Sequence, residues 1–131
     1  MKKIIICAFA GAILTFVSMT GVAQTKQRIR FPAGTHGTSV KGTVHGYEYR
    51  DYVVGAAAGQ AIDVRLTASQ ASTVLAVFLP NGDNLDGASE TTEFKGELTV
   101  KGNYVIRVLM MRSAARRKAA VSSYTLAIGI R

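Results

Sequence analysis

Cysteine is nearly absent from this chain of 131 residues, in which Cys7 is the single one. Cys7 lies inside an N-terminal apolar run, so the remaining sequence offers no thiol nucleophile and no disulfide. Acidic residues are also few, with eight aspartates and glutamates against sixteen lysines and arginines, and the formal net charge is +8. These shortages exclude a disulfide scaffold and a cysteine-dependent enzyme, and they predict a fold held together by packing.

Patterns that carry catalysis or bind metals are missing as well. His36 and His45 are nine residues apart in a Gly/Thr-rich region, without an HExxH or similar spacing. Ser39, His45 and Asp51 have no nucleophile-elbow sequence around them. The segment "NGDNLDG", 81–87, hints at a calcium loop, but an apolar residue takes a ligand position and the twelfth place has no glutamate. We therefore expect a hairpin turn there, and a protein without catalytic residues, metal site or cofactor.

The N-terminus has the three parts of a secretory signal peptide. A basic "MKK" precedes the apolar "IIICAFAGAILTFV", and "SMTGVA" supplies small residues before Gln24, so cleavage is expected after Ala23. The apolar run is short for a membrane span of about 20 residues, and Cys7 is not at its end, as a lipoprotein would require. We expect a signal peptide at 1–23, one domain at 24–131, a periplasmic location and no stable membrane association.

The predicted mature chain has 108 residues, no cysteine and a formal net charge of +6. This length suits one domain with one core. A net positive charge permits binding to nucleic acids or anionic surfaces. The basic residues are not interleaved with aromatic residues, however, and the protein is expected to be exported, so we do not expect nucleic acid as a partner.

The sequence after the signal alternates with a period of two. "AIDVRLT" and "SYTLAIGIR" place apolar residues on one face, whereas "TVLAVFL" is apolar on both faces, as in a strand buried on both sides. Turn residues separate these runs at 57–60, 80–84 and 101–103. The pattern predicts an all-β fold, an antiparallel β-sandwich of about seven to eight strands.

One segment departs from this pattern. The alanines of "RSAARRKAA" favour helix and Ser113 is a plausible N-cap, so we expect one or two helical turns near residues 113–120, between two strands. The segment carries Arg112, Arg116, Arg117 and Lys118. Positive charges near a helix N-terminus oppose the helix dipole, so stability alone does not account for them. A solvated loop and a binding surface both remain open from composition.

The segment "GYEYRDY" carries three tyrosines. If Tyr52 faces the core, then Tyr47, Tyr49 and Asp51 face the other way. Exposed tyrosines are typical of recognition surfaces, because they bury a large area with few rotatable bonds. The alternative is that these tyrosines cover a neighbouring part of the fold, and this alternative is favoured for Tyr49 over Tyr47.

Two segments resemble a known family. "GYEYRDYVVGAAAGQ" followed by "AIDVRLT", and "GNYVIRVLMMRSAARRKAAVSSYTLAIGIR", are similar to the bacterial periplasmic inhibitors of g-type lysozyme. The likeness is specific in the GY-[DE]-Y start, the AxxGQ turn and the RVLxxRxxAR element. A wider skeleton, D-Y…GQ…GxY…V…YTL, also looks like the pre-peptidase C-terminal β-sandwich, and the RVLxxRxxAR element separates the two families.

The resemblance implies a defensive protein that binds host g-type lysozyme and so protects peptidoglycan. It implies that a basic loop and a tyrosine occlude the lysozyme active-site cleft. The family's binding residues correspond here to Tyr47, Arg112 and Arg116. Supporting contacts are expected from Glu48, Tyr49 and Arg117.

The chemistry of a lysozyme fits these residue types. A lysozyme cleft is concave and carries carboxyl groups for glycosidic cleavage. Guanidinium groups bind carboxylates in a bidentate manner, which lysine cannot do. Arg112 and Arg116 share one face if their segment is helical. The alternative function is a carbohydrate- or peptidoglycan-binding β-sandwich module of the pre-peptidase C-terminal type.

Overall fold

The computed structural model describes residues 25–31 and 34–131. The predicted signal peptide at 1–23 lies outside the described residues, so it stays a prediction. Within the described part, the chain forms eight strands and one helical turn. The strands are β1 (Thr25–Arg28), β2 (Gly37–His45), β3 (Tyr49–Ala56), β4 (Ala61–Ala68), β5 (Thr73–Phe78), β6 (Glu93–Glu97), β7 (Gly102–Met110) and β8 (Val121–Ile130), and the helix α1 (Arg112–Ala115) lies between β7 and β8.

The strands form two four-stranded sheets. The first has the order β1-β3-β7-β5 and the second the order β2-β8-β4-β6. The predicted all-β sandwich is confirmed, with one departure, because β1 runs parallel to β3 whereas the other pairs are antiparallel. A parallel pair needs a crossover connection, and β2 provides it by lying in the opposite sheet. α1 connects β7, a central strand of the first sheet, to β8, a central strand of the second sheet.

The period-two pattern identifies the buried faces correctly. The inward residues are Ile62, Val64 and Leu66 on β4, and Tyr124, Leu126, Ile128 and Ile130 on β8. β5 is buried on both faces, as its sequence predicts. The chain that follows β5 folds back along it, so that the Leu75 N–H donates to the Thr91 carbonyl at 2.7 Å and the Val77 N–H donates to the Ala88 carbonyl at 2.9 Å.

A pair of tyrosines joins the two sheets through the core. The hydroxyl oxygens of Tyr52 on β3 and Tyr124 on β8 are 2.5 Å apart, and both side chains are buried. Burial raises the pKa of Tyr124 well above its ordinary value, and the hydrogen bond with Tyr52 raises it further. Gly42 lies opposite Tyr124 on the neighbouring strand β2, where the absence of a side chain leaves room for the Tyr124 ring.

Replacing Gly42 with alanine should therefore destabilise the fold. The new Cβ would lie 2.6 Å from Tyr124 Cζ and 3.1 Å from the Tyr52 hydroxyl oxygen, so the tyrosine pair must shift. We expect the free energy of unfolding, measured by urea denaturation, to fall by about 1–3 kcal/mol, the usual cost of overpacking a core. Gly37→Ala on the same strand is the matched control, because its Cβ would meet only the Ile128 carbonyl oxygen at an ordinary 3.5 Å. Equal stability of the two variants would contradict a tightly packed tyrosine pair.

Candidate functional site

The helical excursion that the sequence predicts is present, but it is shorter than the predicted range. α1 is a single turn, and the chain continues as turns and bends to residue 120. The N-cap is Met111, in an extended conformation and without a side-chain cap, so the assignment of Ser113 as N-cap is wrong. The Met111 N–H donates to the Ser72 carbonyl at 2.9 Å. The start of the turn is therefore set by a hydrogen bond to a distant part of the chain. N-cap preferences of single residues do not predict such a bond.

The single turn separates buried alanines from exposed arginines. Ala114 and Ala115 belong to this turn, and their side chains are buried. The Arg116 N–H donates to the Arg112 carbonyl at 3.1 Å, which completes one α-helical turn between the two arginines. Arg112 and Arg116 therefore lie on the same side of the turn and are exposed, and Arg117 is exposed just beyond it.

Within the part of the chain that the structure describes, no acidic partner neutralises these side chains. Across residues 25–31 and 34–131, no side-chain hydrogen bond or salt bridge engages Arg112, Arg116, Arg117 or Lys118. The sequence from Met111 to Ser123 contains no aspartate or glutamate. The excursion is therefore a concentrated positive charge that is free to bind an external anion or carboxylate.

The connection between β2 and β3 lies against the end of this excursion. The Gly46 N–H donates to the Ala120 carbonyl at 2.9 Å, next to the place where His45 pairs with Val121. Gly46 has a positive φ of 55°, and a Cβ on it would lie 3.6 Å from the Ala115 carbonyl oxygen. Because a Cβ at 3.6 Å would be in ordinary contact, the glycine is favoured here by its left-handed conformation rather than by lack of space.

Tyr47 is the residue that this turn presents to solvent. It retains 64% of its accessible surface, whereas Glu48 and Tyr49 are half-buried. We refer to Tyr47, Arg112 and Arg116 as the tyrosine–arginine patch. The sequence identifies these three residues from two distant segments, and the fold brings both segments to the same end of the sandwich.

Tyr49 and Asp51 lie on the outer face of the first sheet, as predicted, but they are covered by Arg107. The Arg107 Nε lies 2.8 Å from Asp51 Oδ1, and its Nη2 lies 3.1 Å from Asp51 Oδ2. The guanidinium carbon is 4.0 Å from the centre of the Tyr49 ring. The hydrogen bond with Asp51 raises the pKa of Arg107 above its ordinary value, although burial opposes this.

The contacts among Tyr49, Asp51 and Arg107 hold β3 and β7 together near the candidate site. β3 begins just after Tyr47, and β7 leads into α1, so the Asp51–Arg107 ion pair fixes the bases of both connections. Sequence reasoning missed Arg107 as a positioning residue. The available signal was that Arg107 opens the RVLxxRxxAR element, but its partner depends on the register between β3 and β7.

Removing the Arg107 side chain should leave a buried carboxylate without its partner. Asp51 is only 7% exposed. We expect Arg107→Ala to lower the free energy of unfolding by about 1–3 kcal/mol or more, as loss of one partner of a buried charged pair typically does. The control is Arg65→Ala, because the pair of Arg65 with Glu93 at 3.2 Å is exposed and such pairs contribute about 0–1 kcal/mol. Similar urea midpoints for the two variants would show that the Asp51 pair is not structural.

Neither a metal-binding group nor a membrane-spanning helix is found among the described residues. Among residues 25–31 and 34–131, no three His, Cys, Asp or Glu side chains are grouped so as to hold a metal ion. In the same part of the chain, no helix has the length and apolar character needed to span a membrane.

The chain is similar to solved structures of lysozyme inhibitors. The crystal structure of Aeromonas hydrophila PliG, a periplasmic lysozyme inhibitor of g-type lysozyme, matches with a TM-score of 0.72 and 29% identity, over 82% of this chain and 96% of that chain. A mutant of PliG-Ec, the corresponding inhibitor from Escherichia coli, matches with a TM-score of 0.65 and 26% identity, over 83% of this chain and 100% of that chain.

A more distant structure shares the fold alone. The pre-peptidase C-terminal domain of a collagenase from Bacillus anthracis matches with a TM-score of 0.54 and 13% identity, over 82% of this chain and 96% of that chain. No protein-family model matches the chain, and no curated protein matches it at a significant level. The inhibitor structures share the fold of this chain over nearly their whole length, with 26% to 29% sequence identity. The resemblance predicted from the sequence is therefore confirmed: in structure, this chain is similar to the periplasmic inhibitors of g-type lysozyme.

Proposed function

We propose that this protein is a periplasmic inhibitor of host g-type lysozyme that occludes the active-site cleft with the tyrosine–arginine patch. The observation that supports the proposal is that the turn carrying Tyr47 is hydrogen-bonded to the excursion carrying Arg112 and Arg116, at one end of a fold that known inhibitors share. In this role the protein has no catalytic residue of its own and protects peptidoglycan by blocking the enzyme that cleaves it.

Charge complementarity supports this pairing. A lysozyme cleft carries the carboxyl groups that perform glycosidic cleavage, and the patch offers guanidinium groups that have no acidic partner among the described residues. Binding therefore breaks no internal ion pair. Each arginine can bind a carboxylate through two parallel hydrogen bonds, which adds directional specificity to the attraction.

The patch is also held in place before binding. Ala114 and Ala115 fix the helical turn to the core, and the hydrogen bond from Gly46 to Ala120 fixes the Tyr47 turn to the excursion. Little conformational entropy is then lost when the patch enters a cleft, and more of the contact energy remains as affinity. Long-range attraction contributes less, because lysozymes are commonly basic and the predicted mature chain has a net charge of +6.

The proposal is tested with protein purified from the periplasm of an expressing strain. We expect near-stoichiometric inhibition of cell-wall lysis by g-type lysozyme, with c-type and i-type lysozymes assayed in parallel as controls for specificity. Without lysozyme, the protein should leave peptidoglycan intact. Two results would contradict the proposal: full lysozyme activity in the presence of excess protein, or co-sedimentation with peptidoglycan without inhibition, which would favour a glycan-binding module.

The two arginines of the patch should dominate the affinity. Truncating one partner of a desolvated charge pair costs about 2–5 kcal/mol, so Arg112→Ala or Arg116→Ala should weaken inhibition by about thirtyfold to a few thousandfold. Arg117→Ala should matter less, because Arg117 lies beyond the helical turn that places Arg112 and Arg116 on the same side. Lysine at position 112 or 116 should give intermediate inhibition, since it keeps the charge and loses the bidentate geometry.

The ranking of these variants is the decisive result. Urea midpoints should stay near that of wild type, since exposed arginines change stability by about 0.5 kcal/mol or less. Tyr47→Ala should also weaken inhibition, through loss of aromatic contact area. If Arg117→Ala abolishes inhibition while Arg112→Ala and Arg116→Ala leave it unchanged, the assignment of the patch is wrong.

A further inference from the structure

Exposed apolar side chains are concentrated at the end of the molecule that carries the patch. Among residues 25–31 and 34–131, the exposed large apolar residues are Tyr47 at 64%, Val100 at 50%, Met111 at 40% and Val121 at 41%. Single exposed apolar residues are ordinary on protein surfaces. Here, however, Met111 immediately precedes α1 and Val121 begins β8, so both flank the excursion that carries the arginines. Only Val100 lies at the opposite end, in the connection before β7.

The backbone holds Met111 and Val121 outward. Met110, at the end of β7, is buried, and so is Ser122, the second residue of β8, which means that the neighbouring side chains alternate between core and solvent. The Met111 N–H donates to the Ser72 carbonyl at 2.9 Å, and Val121 pairs with His45. Backbone hydrogen bonding therefore fixes both positions, and both side chains are exposed rather than part of the core.

A shallow concavity lies between Val121 and the turn that carries Tyr47. It is lined by His45, Gly46, Arg117, Ala119, Ala120 and Val121. Ala119 has a positive φ of 57°, which turns the chain back toward β8 and leaves this depression beside the arginines. The surface next to the patch is thus indented and mostly apolar, with Arg117 as its charged lining residue, so a protruding side chain of a partner can enter it.

We propose that Met111 and Val121, together with Tyr47, form an apolar rim around the arginines and pack against apolar walls of the lysozyme cleft. This inference rests on the proposed inhibitor function and names further contacts for the same surface. Such contacts remove apolar surface of both partners from water, which is favourable at any ionic strength. Methionine, tyrosine and arginine are enriched in protein interfaces relative to the rest of the surface, and the flexible methionine side chain adapts to irregular surfaces.

The test uses Met111→Ser and Val121→Thr, singly and together, in the inhibition assay with g-type lysozyme. Val121→Thr keeps the β-branched shape and removes apolar character, and Met111→Gln, which keeps the side-chain length, is a second variant at position 111. We expect each single variant to weaken inhibition by about tenfold, at the lower end of what loss of one apolar contact in a pocket produces. Val100→Thr is the matched control, because Val100 is as exposed but lies at the other end, and it should inhibit like wild type.

Dependence on salt separates the rim from the arginines. Apolar contacts are not screened, so the loss in Met111→Ser and Val121→Thr should be the same at low and high ionic strength. The loss in Arg112→Ala should shrink as salt rises, to the extent that solvent reaches the ion pair. Urea midpoints near that of wild type would show that the rim variants are folded.

Each outcome has a distinct meaning. If wild type inhibits and the double variant Met111→Ser/Val121→Thr inhibits equally well, the rim is wrong and the proposed function stands. If wild type itself fails to inhibit g-type lysozyme, the proposed function is wrong and the rim with it. If Val100→Thr weakens inhibition as much as the rim variants do, the loss of inhibition does not depend on where the apolar residue lies. The proposed rim is then also wrong.

Discussion

A single backbone hydrogen bond, from the Gly46 N–H to the Ala120 carbonyl, joins the two connections on which the proposed site depends. Neither connection is stable by itself, because one helical turn lies far below the length at which isolated helices persist, and the three residues between β2 and β3 form a turn without a core. The bond continues the pairing of β2 with β8 by one step, so the sheet itself orders the site. Gly46 makes this possible because its left-handed conformation would strain any other residue.

The arginines of the excursion region divide into two kinds. Arg107 is satisfied, since it binds both oxygens of Asp51 and stacks on Tyr49, and its charge serves the fold. Arg112 and Arg116 follow within a few residues but have no acidic partner in the described chain, so their charge contributes nothing comparable to stability. Because no carboxylate of the described chain pairs with Arg112 or Arg116, both guanidinium groups remain available to bind another molecule.

Local sequence predicts the strands in which the environment of the side chains follows a regular pattern. Apolar and polar residues alternate along β4 and β8, because each strand has one face toward the core and one toward solvent. They do not alternate along β5, because the chain that follows β5 covers its outer face. The parallel pairing of β1 and the start of α1 at Met111 were not predictable, because both are set by tertiary hydrogen bonds rather than by residue preference. The patch residues were identified through the family resemblance, whereas the Asp51–Arg107 pair required the register of two strands.

The order of strands has a consequence for how the protein folds. β8, the last strand, lies between β2 and β4, so neither of those strands has its main partner until residues 121–130 are present. Pairings between strands so distant in sequence form slowly, and the unpaired edges are prone to aggregate during that interval. The contact between Gly46 and Ala120 extends the β2–β8 ladder, so it forms only after β8 has inserted. The end of the molecule that carries the proposed site is therefore completed late in folding, once the centre of the second sheet is closed.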